Sequence, residues 1–188
     1  MKNKFNLIWN PFVKIAGWHS FFIGIIIVII SGILGWFGEL VFDGVLDAHF
    51  YEHSISQAFI ILAIDLISIV IIMYLGSLLI ARKTRFVDIL GTMTLARAPY
   101  LILAIFSLFI QYPSTEEILS NPMIVFSSIP LIIFAIISIP ITIWFIALMF
   151  NGFKVSTGGK GSKVGFVFTI ALILAEIFSK ILIKHIIN

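Results

Sequence analysis

Apolar and polar positions alternate along the chain in long blocks, with extended apolar runs separated by short polar connections. An α-helix rises about 1.5 Å per residue, so crossing about 30 Å of hydrocarbon takes about 20 consecutive apolar residues. Residues 18–37, 55–81, 123–150 and 164–183 meet that length, and a less regular run reaches residue 112. These runs are too long and too frequent for core strands. They predict an all-α fold: one polytopic transmembrane helical bundle of five spans, occupying residues 1–188 as a single membrane domain.

The third run is irregular. Residues 99–112 supply only about 21 Å of helix, too little to cross. Upstream, Phe86, Ile89, Leu90 and Met93 recur at helical spacing, while Arg85, Asp88 and Thr92 lie on another face. That pattern predicts a short amphipathic helix over 84–97, lying in the interface and turning inward at Pro99. The residue before a proline is biased away from the α region, which favours a turn there. The alternative is one long helix over 88–112 with Arg97 snorkelling toward the headgroups. In the fourth run, Pro130 and Pro140 each predict a kink.

Composition supports the membrane reading: 61% of residues are hydrophobic and only 11% charged. A soluble domain of this size covers its surface with more charge. The first apolar run is too long for a signal peptide and no small-residue cleavage site follows, so it reads as a retained span. Without cysteine, disulfides, thiolate metal sites and cysteine nucleophiles are excluded.

Charge then gives a topology. Basic connections (Lys2, Lys4, Lys14; Arg82, Lys83, Arg85; Lys154, Lys160, Lys163) alternate with acidic ones (Glu39, Asp43, Asp47, Glu52; Glu116, Glu117). The positive-inside bias places the N-terminus in the cytoplasm and the C-terminus outside, although Lys180, Lys184 and His185 break the pattern slightly. The net charge of +3 is therefore topological, and nucleic acid is not an expected partner.

Three features carry candidate chemistry. The first loop, "FDGVLDAHFYEH", holds Asp43, Asp47, His49 and His53, carboxylates and imidazoles that could ligate a divalent metal. No metalloenzyme spacing accompanies them, and an acidic outside loop is the plainer reading. Asp65 falls near mid-membrane in the second run, where an ionised carboxylate must face the bundle interior or be protonated. Glu176 and Lys180 form an i, i+4 pair on the fifth run, at a depth where Asp65 could approach them. The glycines at 32, 35 and 38 predict close helix packing, within the chain or in a homo-oligomer. "NGFKVSTGGKGSK" lacks the strand, helix and Lys-Ser/Thr pair of a phosphate-binding loop. No nucleophile–base pair or paired catalytic carboxylates emerge, so the expectation is a non-enzymatic protein without cofactor. The runner-up is a small ion or solute transporter or channel using Asp65, Glu176 and Lys180.

"DILGTMTLARAPYLILAIFSLF", with a Gly-Thr, an Ala and a Pro opening the third span, resembles the Yip family of Ypt/Rab-interacting membrane proteins. "WNPFVKIAGW" and "FDGVLDAH" resemble its short prokaryotic members. The resemblance implies five spans, a multi-pass location in a bacterial inner membrane, and a role in organising the bilayer or membrane-protein partners. Eukaryotic relatives carry a long cytoplasmic N-terminal segment, where this chain offers only about 17 residues before its first span. The family supplies no catalytic residues.

Overall fold

The computed structural model describes residues 2–113, 115–121 and 123–187. Its architecture is an all-α bundle in which five helical segments are long and apolar enough to cross a membrane: Gly17–Phe37, Ile55–Ile80, Phe86–Ser107, Ile129–Thr157 and Ser162–Ile187. In chain order the helices are α1 (Lys2–Trp9), α2 (Gly17–Phe37), α3 (Ile55–Ile80), α4 (Phe86–Ala96), α5 (Tyr100–Ser107), α6 (Thr115–Ser120), α7 (Ile124–Ser127), α8 (Ile129–Thr157) and α9 (Ser162–Ile187). A two-stranded antiparallel hairpin, β1 (Leu40–Val41) and β2 (His49–Phe50), lies between α2 and α3, with Leu40 opposite Phe50 and Val41 opposite His49.

Local signals set several boundaries. Ser54 caps α3, accepting from the Gln57 N–H at 3.2 Å while the Gln57 side chain accepts from the Ser54 N–H at 2.9 Å. This capping box satisfies donors that the helix start would otherwise leave free. Gly158, at φ +62°, ends α8 in the left-handed conformation that glycine adopts without a Cβ clash.

The bundle is built around α4. It packs against α2, α3 and α8, while α9 packs chiefly on α3. Ile89, Thr92, Met93, Thr94 and Ala96 have no exposed surface. The expected interfacial helix is therefore corrected: every residue of α4 from Gly91 to Ala96 is buried, and exposure is confined to its first turn, at Phe86. Its polar residues are small and bonded within the helix, Thr92 Oγ1 donating to Asp88 O at 2.7 Å and Thr94 Oγ1 to Leu90 O at 2.6 Å. Periodicity sees such threonines as a polar face, but with their hydroxyls satisfied they pack like valines.

The chain does not turn out of the third span at Pro99. Ala98, Tyr100 and Ile102 donate to the carbonyls of Leu95, Arg97 and Pro99, each at 3.0 Å. These i→i−3 bonds tighten the helix locally around the missing proline N–H and join α4 to α5. The span so formed runs Phe86–Ser107 rather than 88–112.

The fourth span also shifts. Ser128 separates α7 from α8, and Pro130 sits in the first turn of α8, where its missing donor costs nothing. Only Pro140 lies inside the helix. The glycine stripe of α2 is consumed within the chain. An added Cβ at Gly32 would lie 2.7 Å from Leu62 Cδ1 of α3 and one at Gly35 2.7 Å from Leu40 O; outside the stripe, one at Gly24 would lie 2.6 Å from Leu95 N of α4. Outward positions such as Ile67, Leu79, Ile136 and Phe166 are more than half exposed, as a lipid-facing surface requires.

Candidate functional site

The polar groups of the spans converge beneath the hairpin. Asp65 lies on α3 and has no exposed surface; Arg97 sits at the α4–α5 joint and is 3% exposed. Their closest atoms, Arg97 Nη2 and Asp65 Oδ2, are 3.8 Å apart, an ion pair without a direct hydrogen bond. At about 4 Å such a pair is attracted by about 4 kcal/mol at the effective dielectric of protein. The guanidinium also lies 5.9 Å from the ring centres of both Tyr100 and Phe145, whose faces attract a cation. Glu176 and Asp43 place two further carboxylates within electrostatic reach of Asp65.

Above the pair the first loop folds inward. Phe42 and Val45 are buried at 3% and 0% exposure, though they belong to the most acidic stretch of the chain. Phe42 stacks on Tyr100 with ring centres 5.3 Å apart, and the Tyr100 hydroxyl donates to Leu46 O at 2.6 Å. Glu176 Oε2 accepts from the Leu46 N–H at 2.9 Å, so α9 holds the other side of the same peptide segment. Lys180 bridges Asp47 of the loop and, at 3.3 Å, Glu176 of its own helix. Phe50 packs between Tyr112 and Phe134. The hairpin is a plug, wedged between α5, α8 and α9.

This geometry redistributes the expected site residues. Asp65 does face the interior, with Arg97 as its ion-pair partner; Glu176 comes within electrostatic reach of it but, like Lys180, bonds to the loop. Arg97 neither snorkels nor lies at an interface. The metal candidates are dispersed by their bonds. Asp43 Oδ1 and His49 Nδ1 meet at 2.7 Å across the hairpin, Asp47 takes Lys180, and His53 Nδ1 donates to Tyr51 O at 2.8 Å. Among the described residues no three His, Asp or Glu side chains cluster as a metal site would require. Partial burial, and after it the charges of Asp43 and Asp65, push the Tyr51 hydroxyl up to about 12.

Sequence reasoning missed the partner role of Tyr100 and the insertion of Phe42, Val45 and Leu46. The signal was present: "FDGVLDAHF" alternates acids with large apolar residues that a fully wetted loop has no use for.

Around the ion pair there is almost no free space. A cavity of about 10 Å³, room for the centre of one water, touches Arg97, Tyr100, Phe42 and Ser31. A larger cleft of about 470 Å³ lies between the loop (Leu46, Asp47, His49) and α5 and α8 (Tyr100, Ser138, Thr142). Asp65 and Arg97 are not among the residues lining that cleft, and Tyr100 stands between. No protein-family model matches the chain, and no curated protein or solved structure matches it either. The chain is a multi-pass integral membrane protein of five apolar spans in contact with the lipid bilayer.

Proposed function

We propose that this is a non-enzymatic membrane-organising protein of the Yip type, resident in a bacterial inner membrane with its N-terminus cytoplasmic. Its helices and hairpin form a rigid intramembrane body on which lipids, membrane-protein partners or further copies assemble. The observation that carries the reading is the use made of the polar groups. Asp65, Arg97, Glu176 and Lys180 are spent on closing the bundle and anchoring the hairpin, with only a one-water void beside the ion pair. A transport pathway needs such groups to line a wet route. Here the 470 Å³ cleft stops short of them.

The test is reconstitution of the full chain into liposomes. The expected outcome is no flux of protons, K⁺ or small solutes above empty vesicles, with vesicle size and shape changing as the protein-to-lipid ratio rises. A flux that Asp65→Asn abolishes would overturn the reading in favour of a transporter.

A further inference from the structure

A second feature lies on the lipid-facing surface of α9. Between α3 and α9 runs an apolar groove of about 640 Å³, walled by Leu75, Leu79, Phe166, Ile170, Leu174 and Ile181 and floored at Gly76. Gly76 lets the helices close there: an added Cβ would meet Ala171 Cβ at 3.3 Å and Val167 Cγ1 at 3.4 Å. Along α9 the groove extends from Phe166 to Ile181, about 22 Å of helix, against about 15 Å for one leaflet of a bilayer. It is long enough to take one acyl chain along its length.

One end of the groove is strongly basic. Leu79 and Phe166 mark that end, and Lys163 donates to Leu79 O at 3.0 Å, which fixes its ammonium at the groove mouth with two donors free. Lys160 precedes it in the α8–α9 turn, and Arg82 and Lys83 follow the end of α3 directly; all four side chains are exposed. Gly159 lies against Ile80, so the turn rests on the end of α3. No carboxylate occurs from Ala81 to Thr84 or from Thr157 to Phe166. Apolar slot and unneutralised cations together match an amphiphile with an anionic head.

We infer that the α3–α9 groove is a binding site for an anionic phospholipid, its acyl chain lying along Gly76 and Ile170 and its phosphate held by Lys163, Lys160, Arg82 and Lys83. Each basic residue near a headgroup contributes about 1 kcal/mol of attraction, and the groove adds chain contacts that a flat helix surface lacks. A phospholipid with a zwitterionic head gains the chain contacts but little of the charge term. The site is independent of the hairpin and of the Asp65–Arg97 pair.

Native mass spectrometry of the full chain in detergent, loaded with dioleoyl phosphatidylglycerol or dioleoyl phosphatidylcholine, tests this directly. The wild type is expected to retain phosphatidylglycerol in preference. Replacing Lys160 and Lys163 together by Gln should weaken that retention about thirtyfold, since two such charges are removed. Lys14→Gln, remote from the groove in sequence, should leave it unchanged. Filling the slot with Ile170→Trp, or with Leu174→Trp should the first fail to fold, should abolish retention of both lipids. Equal retention of the two lipids by the wild type would overturn the inference, as would phosphatidylglycerol binding indifferent to the lysine pair. A lipid-free dimer that Ile170→Trp dissociates would also overturn it, making the groove a helix-docking surface.

Discussion

The third and fifth spans solve opposite problems. The third, Phe86–Ser107, is 67% buried along its most apolar window, whereas the fifth, Ser162–Ile187, is only 28% buried. The third holds Thr92, Thr94 and Arg97 in the centre of the bundle; the fifth turns Phe166, Ile173 and Ile181 outward. In a membrane, high hydropathy marks contact with lipid, because lipid tolerates no unpaired polar group. A span enclosed by other helices can afford hydroxyls and a guanidinium, provided that its neighbours supply partners. The least apolar span is thus the core, an inversion of the rule for water-soluble proteins.

The largest expected effect tests that inversion at Arg97. Asp65→Ala leaves the guanidinium buried without a counter-charge and should cost about 3–5 kcal/mol of unfolding free energy in detergent or bicelles. Asp65→Leu combined with Arg97→Leu should recover most of the loss, since a paired apolar replacement leaves no stranded charge. If the double variant is as unstable as the single one, the pair does more than satisfy itself.

Next comes the backbone contact between α2 and α4. Gly24→Ala drives a methyl onto Leu95 N and should destabilise by about 1–3 kcal/mol, measured in the same unfolding assay. Tyr100→Phe removes the hydroxyl that holds Leu46 and should cost about 1 kcal/mol. With no native cysteine, Val45→Cys reports on the hairpin alone. Its maleimide labelling, slow in an otherwise unaltered chain, should accelerate when Tyr100→Phe is added. Unchanged labelling would mean that Glu176 and Lys180 hold the plug by themselves.

On the fifth span the same type of change should reverse sign. Nothing lies within 4 Å of a Cβ placed at Gly165, so Gly165→Ala should raise stability by up to about 1 kcal/mol through helix propensity. A loss there would place an unseen partner on this face. The last effect is confined to alkaline pH. The Tyr51 hydroxyl titrates at about 12 when folded and 10.0 when unfolded, so the folded state holds its proton longer. Stability should therefore be intact below pH 10 and fall between pH 10 and 12 as the unfolded chain ionises. Tyr51→Phe should remove that part of the decline in pH-dependent unfolding curves.

Much of this was legible in residue order. Span number and approximate limits follow from hydropathy because a hydrocarbon slab imposes one length on every crossing helix. The inward placement of Asp65 follows from the cost of a carboxylate in lipid. What failed was the third span, where Thr92 lent α4 a polar face on paper and Pro99 looked like a corner. Short i→i−3 bonds carried the helix through the proline, and back-bonded hydroxyls removed the polarity. The first loop was half legible: its acids do keep contact with solvent. What residue order does not show is that Asp43 and Asp47 bond there to His49 and Lys180 while Phe42 and Val45 anchor the loop inside.

The sequence by itself determined a five-span membrane protein with alternating basic and acidic connections, since crossing length and charge are properties of single segments. The tertiary structure alone decided that Asp65 meets Arg97, that Glu176 and Lys180 serve the hairpin, and that the most polar span lies at the centre. Those outcomes depend on which helix faces which. Segments that are each satisfied alone in lipid choose their neighbours through close packing and the pairing of a few buried charges, and neither is written in any one segment.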